Sequence, residues 1–198
     1  MAKREVSDKT ILDEFVEDFV KIVEKHCKYI IVSGFVAIAH GRSRGTEDID
    51  MILEKISKEQ FVKLHNDLIK HKFECMQSKD PELIYTSYLM NHTSVRYTRK
   101  GEFLPEMEIK LAKDSIDEYQ LATRIKLPFT GLDVYFSTIE MNIAFKEEYL
   151  KSDKDIEDAK HLRIIYKDNL NEAEIEKIKK DIRRIRIKDD ANRTSRAN

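Results

Sequence analysis

The chain has 198 residues, 41% of them hydrophobic and 37% charged, and its 36 basic and 37 acidic side chains nearly cancel to a formal net charge of −1. That is enough apolar material for one ordinary domain with a helical extension, or for two small lobes, and too much for a disordered tether. Balanced charge gives no drive toward non-specific binding of nucleic acid. A composition rich in Lys, Glu and Ile, with few Gly and no Trp, suits a thermophilic source. Cys27 and Cys75 lie far apart and match neither a zinc pattern nor a disulfide framework, so both are expected as reduced thiols of a cytoplasmic protein. The opening residues MAKREVSDKT lack an apolar signal region. No apolar run approaches the roughly 20 residues of a membrane span, so no membrane association is expected.

In chain order, apolar positions from Ile11 to Val23 recur at helical spacing and predict a helix over 9–26, capped by Ser7 or Asp8. The run Tyr29-Ile30-Ile31-Val32 predicts a strand over 28–33. It ends in Ser33-Gly34 and is followed by a short apolar helix over 34–40. A basic, glycine-punctuated turn, Gly41-Arg42-Ser43-Arg44-Gly45-Thr46, then leads into a second strand over 47–53. Ser57 and Gln60 form a capping box for a helix through about His71, Phe73–Met76 reads as a short strand, and Pro81 fits the first turn of another helix. His92–Tyr97 and Leu104–Ala112 read as a hairpin turning at Arg99-Lys100-Gly101. Ile116–Ala122 is helical, and two short strands flank Gly131. From Ser137 onward every segment reads as helix. The order implies an α/β (α+β) fold: a small mixed sheet flanked by helices over 1–136, a helical C-terminal part over 137–190, and a disordered tail over 191–198.

The stretch Tyr29–Leu53 concentrates the chemistry. Alternate residues of a strand share a face, so Asp48 and Asp50 present two carboxylates side by side. Adjacent anions raise each other's pKa unless a cation sits between them, and an all-oxygen donor set favours magnesium, or manganese, over zinc. Gly34, between a strand and a helix, allows backbone to approach a ligand closely. Free N–H groups at a helix start attract phosphate, and the Ser33 hydroxyl adds a donor. Metal clamp and phosphate cradle together are the parts of a phosphoryl or nucleotidyl transfer site. In the second hairpin strand Met107, Ile109 and Leu111 face one way and Glu106, Glu108 and Lys110 the other. Antiparallel pairing is expected to bring Glu108, or else Glu106, beside Asp48 and Asp50 as a third carboxylate; an exposed polar face is the plainer alternative.

The ordered set of segments resembles the nucleotidyltransferase superfamily that shares the DNA polymerase beta fold, and within it the branch containing the AbiEii-type toxins. The resemblance rests on Ser33-Gly34, on Arg44-Gly45-Thr46-Glu47-Asp48-Ile49-Asp50, on the helix from Ser137 to Lys146, and on Lys154-Asp155-Ile156-Glu157-Asp158. It implies a polymerase-beta-like core and transfer of a nucleoside monophosphate from a nucleoside triphosphate to an acceptor hydroxyl, with release of pyrophosphate. By the same resemblance, Asp48, Asp50 and Glu108 hold two magnesium ions, and Ser33, Gly34, Arg44, Thr46 and Lys146 contact the nucleotide. The acceptor is then RNA (transfer RNA included), a protein or a small molecule, and a toxin role implies an antitoxin partner. Asp155 and Asp158 fall on one helical face, where capping and surface charge is the plainer reading and orientation of Lys146 the alternative. Two departures stand out: Ser occupies the first turn position in place of Gly, and the bulky Phe35 follows Gly34. A catalytically idle binding module and a phosphotransferase are the competing readings of the same site.

Overall fold

The strand that carries the two aspartates, β2 (Asp48–Leu53), sits in the middle of a seven-stranded sheet in the computed structural model, which describes residues 10–43, 45–46 and 48–196, with side chains described through 185. The sheet also contains β1 (Tyr29–Val32), β3 (Phe73–Cys75), β4 (Val95–Arg99), β5 (Glu106–Leu111), β6 (Ile125–Lys126) and β7 (Tyr135–Phe136), in the order β3-β4-β5-β2-β1-β7-β6. Pairing is parallel between β2 and β5 and between β1 and β7, and antiparallel elsewhere. This is the mixed sheet expected from the sequence. Residues up to Ser137 form one compact unit and those from Thr138 a second.

Local chemistry explains the elements. Helix α1 (Ile11–Val23) starts at Thr10, whose hydroxyl accepts from the Asp13 N–H while the Asp13 carboxylate accepts from the Thr10 N–H. The expected caps Ser7 and Asp8 lie outside the described residues. Helix α2 (Gly34–Ala39) is short, and α3 (Lys58–Lys70) begins with the Ser57–Gln60 capping box anticipated from the sequence. Asp80 caps α4 (Pro81–Leu83), which runs through a π turn and a 3-10 turn to Asn91. That turn delays β4 to Val95. Gly101, at φ 82°, supplies the left-handed residue that turns β4 into β5.

The two sheet faces divide the core. On one face Phe15 and Phe19 of α1 make aromatic contacts with Phe73, and Phe19 also meets Tyr97. The other face is apolar only at one end, where Ile30, Ile52, Ala112 and Leu121 pack together beneath α5 (Ser115–Ala122), with Val32 against them. Asp48 and Asp50 share the parity of Ile52 along β2. The carboxylates therefore occupy the continuation of this face, beyond the apolar cluster.

The second unit consists of α6 (Ile139–Phe145) with its π extension to Leu150, α7 (Asp153–Tyr166) and α8 (Glu172–Arg196). Thr138, Ser152 and Asn171 start these helices through side-chain bonds to Met141, Asp155 and Glu174 N–H groups. Helix α8 continues through Arg196. The segment contains neither Pro nor Gly to stop it. Ion pairs join the helices: Arg163 to Glu147 and Glu172, Lys179 to Glu147 and Glu176, and Arg183 to Glu148. Among the described residues no helix is long and apolar enough to cross a membrane.

Lys146 is 1% exposed, and its Nζ lies 2.8 Å from Asp158 Oδ2 and 3.5 Å from Asp155 Oδ1. Asp158 is fully buried, so it is not the surface charge that its helical spacing suggested. A buried ion pair adds little net stability against an apolar replacement, but removing one partner is costly because a charge stays behind. Asp158→Asn is therefore expected to lower unfolding free energy by about 3 kcal/mol in urea titrations, and the Lys146→Met/Asp158→Leu double variant to recover most of that loss.

Candidate nucleotide and metal site

Parallel pairing of β2 with β5 sets Asp48 opposite Glu106 and Asp50 opposite Glu108. The expected antiparallel approach of the glutamate strand is thus corrected. The hairpin pairing of β5 is with β4, while its contact with the aspartate strand is parallel. Laterally paired residues point to the same face, so four carboxylates share it, with Met107, Ile109 and Ile49 buried on the other side. Glu108 is the residue in register with Asp50, and Glu106 is in register with Asp48.

Ser33 closes the site from β1. Val32 pairs with Asp50, and the Ser33 hydroxyl of the next residue stands close enough to the Asp50 carboxylate to hold its pKa down against burial. The bend before α2 and the aspartate pair therefore meet. Ser33 reaches this position at φ 66° and ψ −138°, a backbone region that is essentially reserved for glycine. Its side chain makes no cap on α2. Phe35 turns into the core, 1% exposed and stacked on Phe136 with ring centroids 6.4 Å apart. Its bulk is directed away from the bend, which answers one of the two departures seen in the sequence.

Thr46 sits beside Asp48, its Oγ1 2.9 Å from the Asp48 carbonyl oxygen and 3.2 Å from Asp48 Oδ1. One hydroxyl proton shared between those acceptors orients the aspartate. Arg44 lies outside the described residues. Lys146 belongs to the second unit, where its ammonium is held as described above.

The sequence reading missed Arg96. On β4 it is in register with Glu108, and its Nε lies 3.1 Å from Glu108 Oε2 and 3.2 Å from Glu106 Oε2. The Glu108 contact is an aligned hydrogen bond. Glu106 Oε2 is buried, and despite the short separation it has no aligned hydrogen-bond partner. Arg96 alternates with apolar Val95 and Tyr97, a signal that it shares a face with something polar, but only the register reveals what.

The electrostatics follow from this crowding. Burial pushes the Asp50 carboxyl up from its ordinary pKa; the Ser33 hydrogen bond pulls it down, Glu108 and Asp48 push it up, and Lys110 pulls it down. Four carboxylates face the cations Arg96 and Lys110. Such a donor set is all oxygen and carries surplus negative charge, which fits a hard divalent cation at Asp48 and Asp50. Among the described residues no three His, Cys, Asp or Glu side chains already converge as a metal cage, and Arg96 holds the candidate third ligand.

Solved nucleotidyltransferases have this fold. The solution structure of the antibiotic-resistance factor ANT(2'')-Ia superposes with a TM-score of 0.59 at 14% identity, over 93% of this chain and 97% of that one. ANT(2'')-Ia in complex with adenylyl-2''-tobramycin gives 0.52 at 15% identity over 88% and 98%, and an antigenic nucleotidyltransferase-like protein from Paracoccidioides brasiliensis gives 0.51 at 17% over 89% of each chain. No protein-family model matches the chain, and no curated protein is similar to it.

Two outcomes test the geometry. At the Ser33 backbone angles Gly relaxes where Ala does not, and both lose the hydroxyl. Ser33→Gly is expected to be more stable than Ser33→Ala by about 1 kcal/mol in denaturant titrations, against the usual order of these residues. Asp50 holds its proton to higher pH folded than unfolded, so its ionised form costs stability above the folded pKa; the cost fades as pH falls through that pKa and is gone below the unfolded value of about 4. Asp50→Asn is expected to raise the melting temperature at pH 7 in the presence of a chelator, with a gain that shrinks toward pH 4.

Proposed function

We propose that the protein is a magnesium-dependent nucleotidyltransferase that moves a nucleoside monophosphate from a triphosphate to an acceptor hydroxyl. The observation that carries this reading is the register of Asp50 with both Glu108 and the Ser33 bend, which gathers carboxylates and a strand-to-helix turn at one end of the sheet. Asp48 and Asp50 would hold the metal, with Glu108 as third carboxylate. Bound there, magnesium or manganese would neutralise the polyphosphate and favour the deprotonated acceptor oxygen.

The chain's own groups have separate tasks. Thr46 fixes the rotamer of Asp48, and Ser33 keeps Asp50 turned toward the bend. The β1–α2 turn at Ser33-Gly34 offers backbone N–H groups to the departing phosphates, where donors already in place cost no reorganisation. The acceptor oxygen bonds to the α-phosphorus as the bond from that phosphorus to the pyrophosphate oxygen breaks. Lys146 is assigned a supporting role through its ion pairs within the second unit, in place of direct contact with phosphate, since its side chain is almost wholly buried.

The acceptor class stays with RNA, a protein or a small hydroxylated molecule. The neighbour that holds adenylyl-2''-tobramycin argues for including the last. A cytoplasmic toxin with an antitoxin partner is the biological setting implied by the AbiEii-type resemblance. One observation favours the alternative of an idle binding module: Arg96 already occupies Glu108, so an internal cation stands beside the candidate third ligand.

Incubation with triphosphates labelled at the α- or γ-phosphate separates the readings. Transfer of α-label into a lysate fraction, with pyrophosphate released, is expected for the wild type and should fall at least 100-fold in Asp48→Asn and Asp50→Asn. Transfer of γ-label alone would make the protein a phosphotransferase. Magnesium-dependent binding of triphosphate with no label transferred would make it an idle module.

A further inference from the structure

The Arg96 guanidinium is half-exposed and lies across two glutamates that are themselves 16% and 21% exposed. It bonds one of them, Glu108, and stands 3.2 Å from the buried, unaligned Oε2 of the other, Glu106. β4 is fixed at this point by the segment that follows β3. The Arg96 N–H donates to Gln77 Oε1 at 2.8 Å, and its carbonyl accepts from the Met76 N–H at 2.9 Å. The backbone is therefore anchored while the side chain has two acceptors of equal charge within one guanidinium's reach.

We propose, building on the metal site above, that Arg96 is a positioning residue that latches Glu108 away from the aspartates until a divalent cation binds. Glu106 is the second seat of the latch. When Glu108 turns to the cation, Arg96 completes its bond to Glu106, so that the guanidinium and the buried Oε2 are both satisfied. The exchange keeps the number of carboxylate–cation pairs constant and leaves no charge stranded. It also explains why a strand with one candidate ligand carries a second glutamate two residues earlier, on the same face and directly beside Asp48.

The test measures Mn2+ affinity by calorimetry for the wild type, Arg96→Gln, Glu108→Gln, the double variant and Asp50→Asn, with melting temperatures confirming that each is folded. The latch predicts that Arg96→Gln tightens Mn2+ binding about 10-fold with Glu108 present and about 2-fold or less in the Glu108→Gln background, where nothing remains to release. Simple removal of a nearby positive charge would tighten binding equally in both backgrounds, and that result overturns the latch. So does an unchanged affinity in Arg96→Gln, or the absence of Mn2+ binding in every variant. Mn2+ binding that appears only when Arg96 is replaced, and only with Glu108 intact, supports it. If the latch fails while Mn2+ binding still depends on Asp50 and α-label is still transferred, the functional reading stands without it. If Mn2+ binding is independent of Asp50, the metal site itself falls.

Discussion

Mutual repulsion on one sheet face is the constraint that the first unit is arranged around. Pairing β2 with β5 in parallel register sets carboxylates opposite each other on strands about 5 Å apart. At an effective dielectric near 20, two unit charges at that separation repel by about 3 kcal/mol. Each polar neighbour can be understood as a response to that field. Arg96 enters from β4, Lys110 follows on β5, Ser33 bonds Asp50 from the β1 bend, and Thr46 bonds Asp48 from the preceding turn. The face can bear the charge because its other end is dry. Ile30, Ile52, Ala112 and Leu121 beneath α5 hold the same strands together through apolar burial.

Strain collects at the same place. Ser33 is the first residue after β1, and its backbone lies where a side chain is unfavourable by roughly 1–3 kcal/mol. A glycine there would relax the turn but could not supply the hydroxyl that holds the Asp50 pKa down. The core offsets this cost: Tyr29, Ile30 and Ile31 are wholly buried, and Phe35 anchors the far side of the bend against Phe136. Crowded like charges and a strained turn within one short segment are what a site built for a ligand displays, because neither improves the folded state on its own account.

The parts legible in the sequence were those governed by local periodicity. The i, i+2 spacing of Asp48 and Asp50, the alternation along β5 and the Ser57–Gln60 box all follow from a few neighbouring residues, and all appear in the fold. Register is a long-range property and was not legible. Nothing in the composition of β5 says that it meets β2 in parallel, or that Glu108 falls opposite Asp50 and Arg96 opposite Glu108. Arg96 was overlooked for that reason, since its meaning lies wholly in its cross-strand partners. Asp158 shows the same limit in helices: its spacing from Asp155 was readable, but its complete burial against Lys146 depends on how α6 and α7 pack.

A net charge near zero conceals how unevenly the charge is distributed. In the second unit several basic side chains are matched by acids: Arg163 and Lys179 with Glu147, Arg183 with Glu148, Arg184 with Asp181. On the sheet face the signs do not cancel, because Asp48, Asp50, Glu106 and Glu108 confront Arg96 and Lys110. A bare triphosphate approaching this face would meet repulsion from all four carboxylates. On the proposed function, the same triphosphate carrying a divalent cation would meet attraction, with Asp48 and Asp50 as the residues that would hold the cation. If the proposed function holds, the charge pattern favours a cation-borne polyphosphate over a free one, and the two Arg96 contacts are the interactions that such a ligand would compete with.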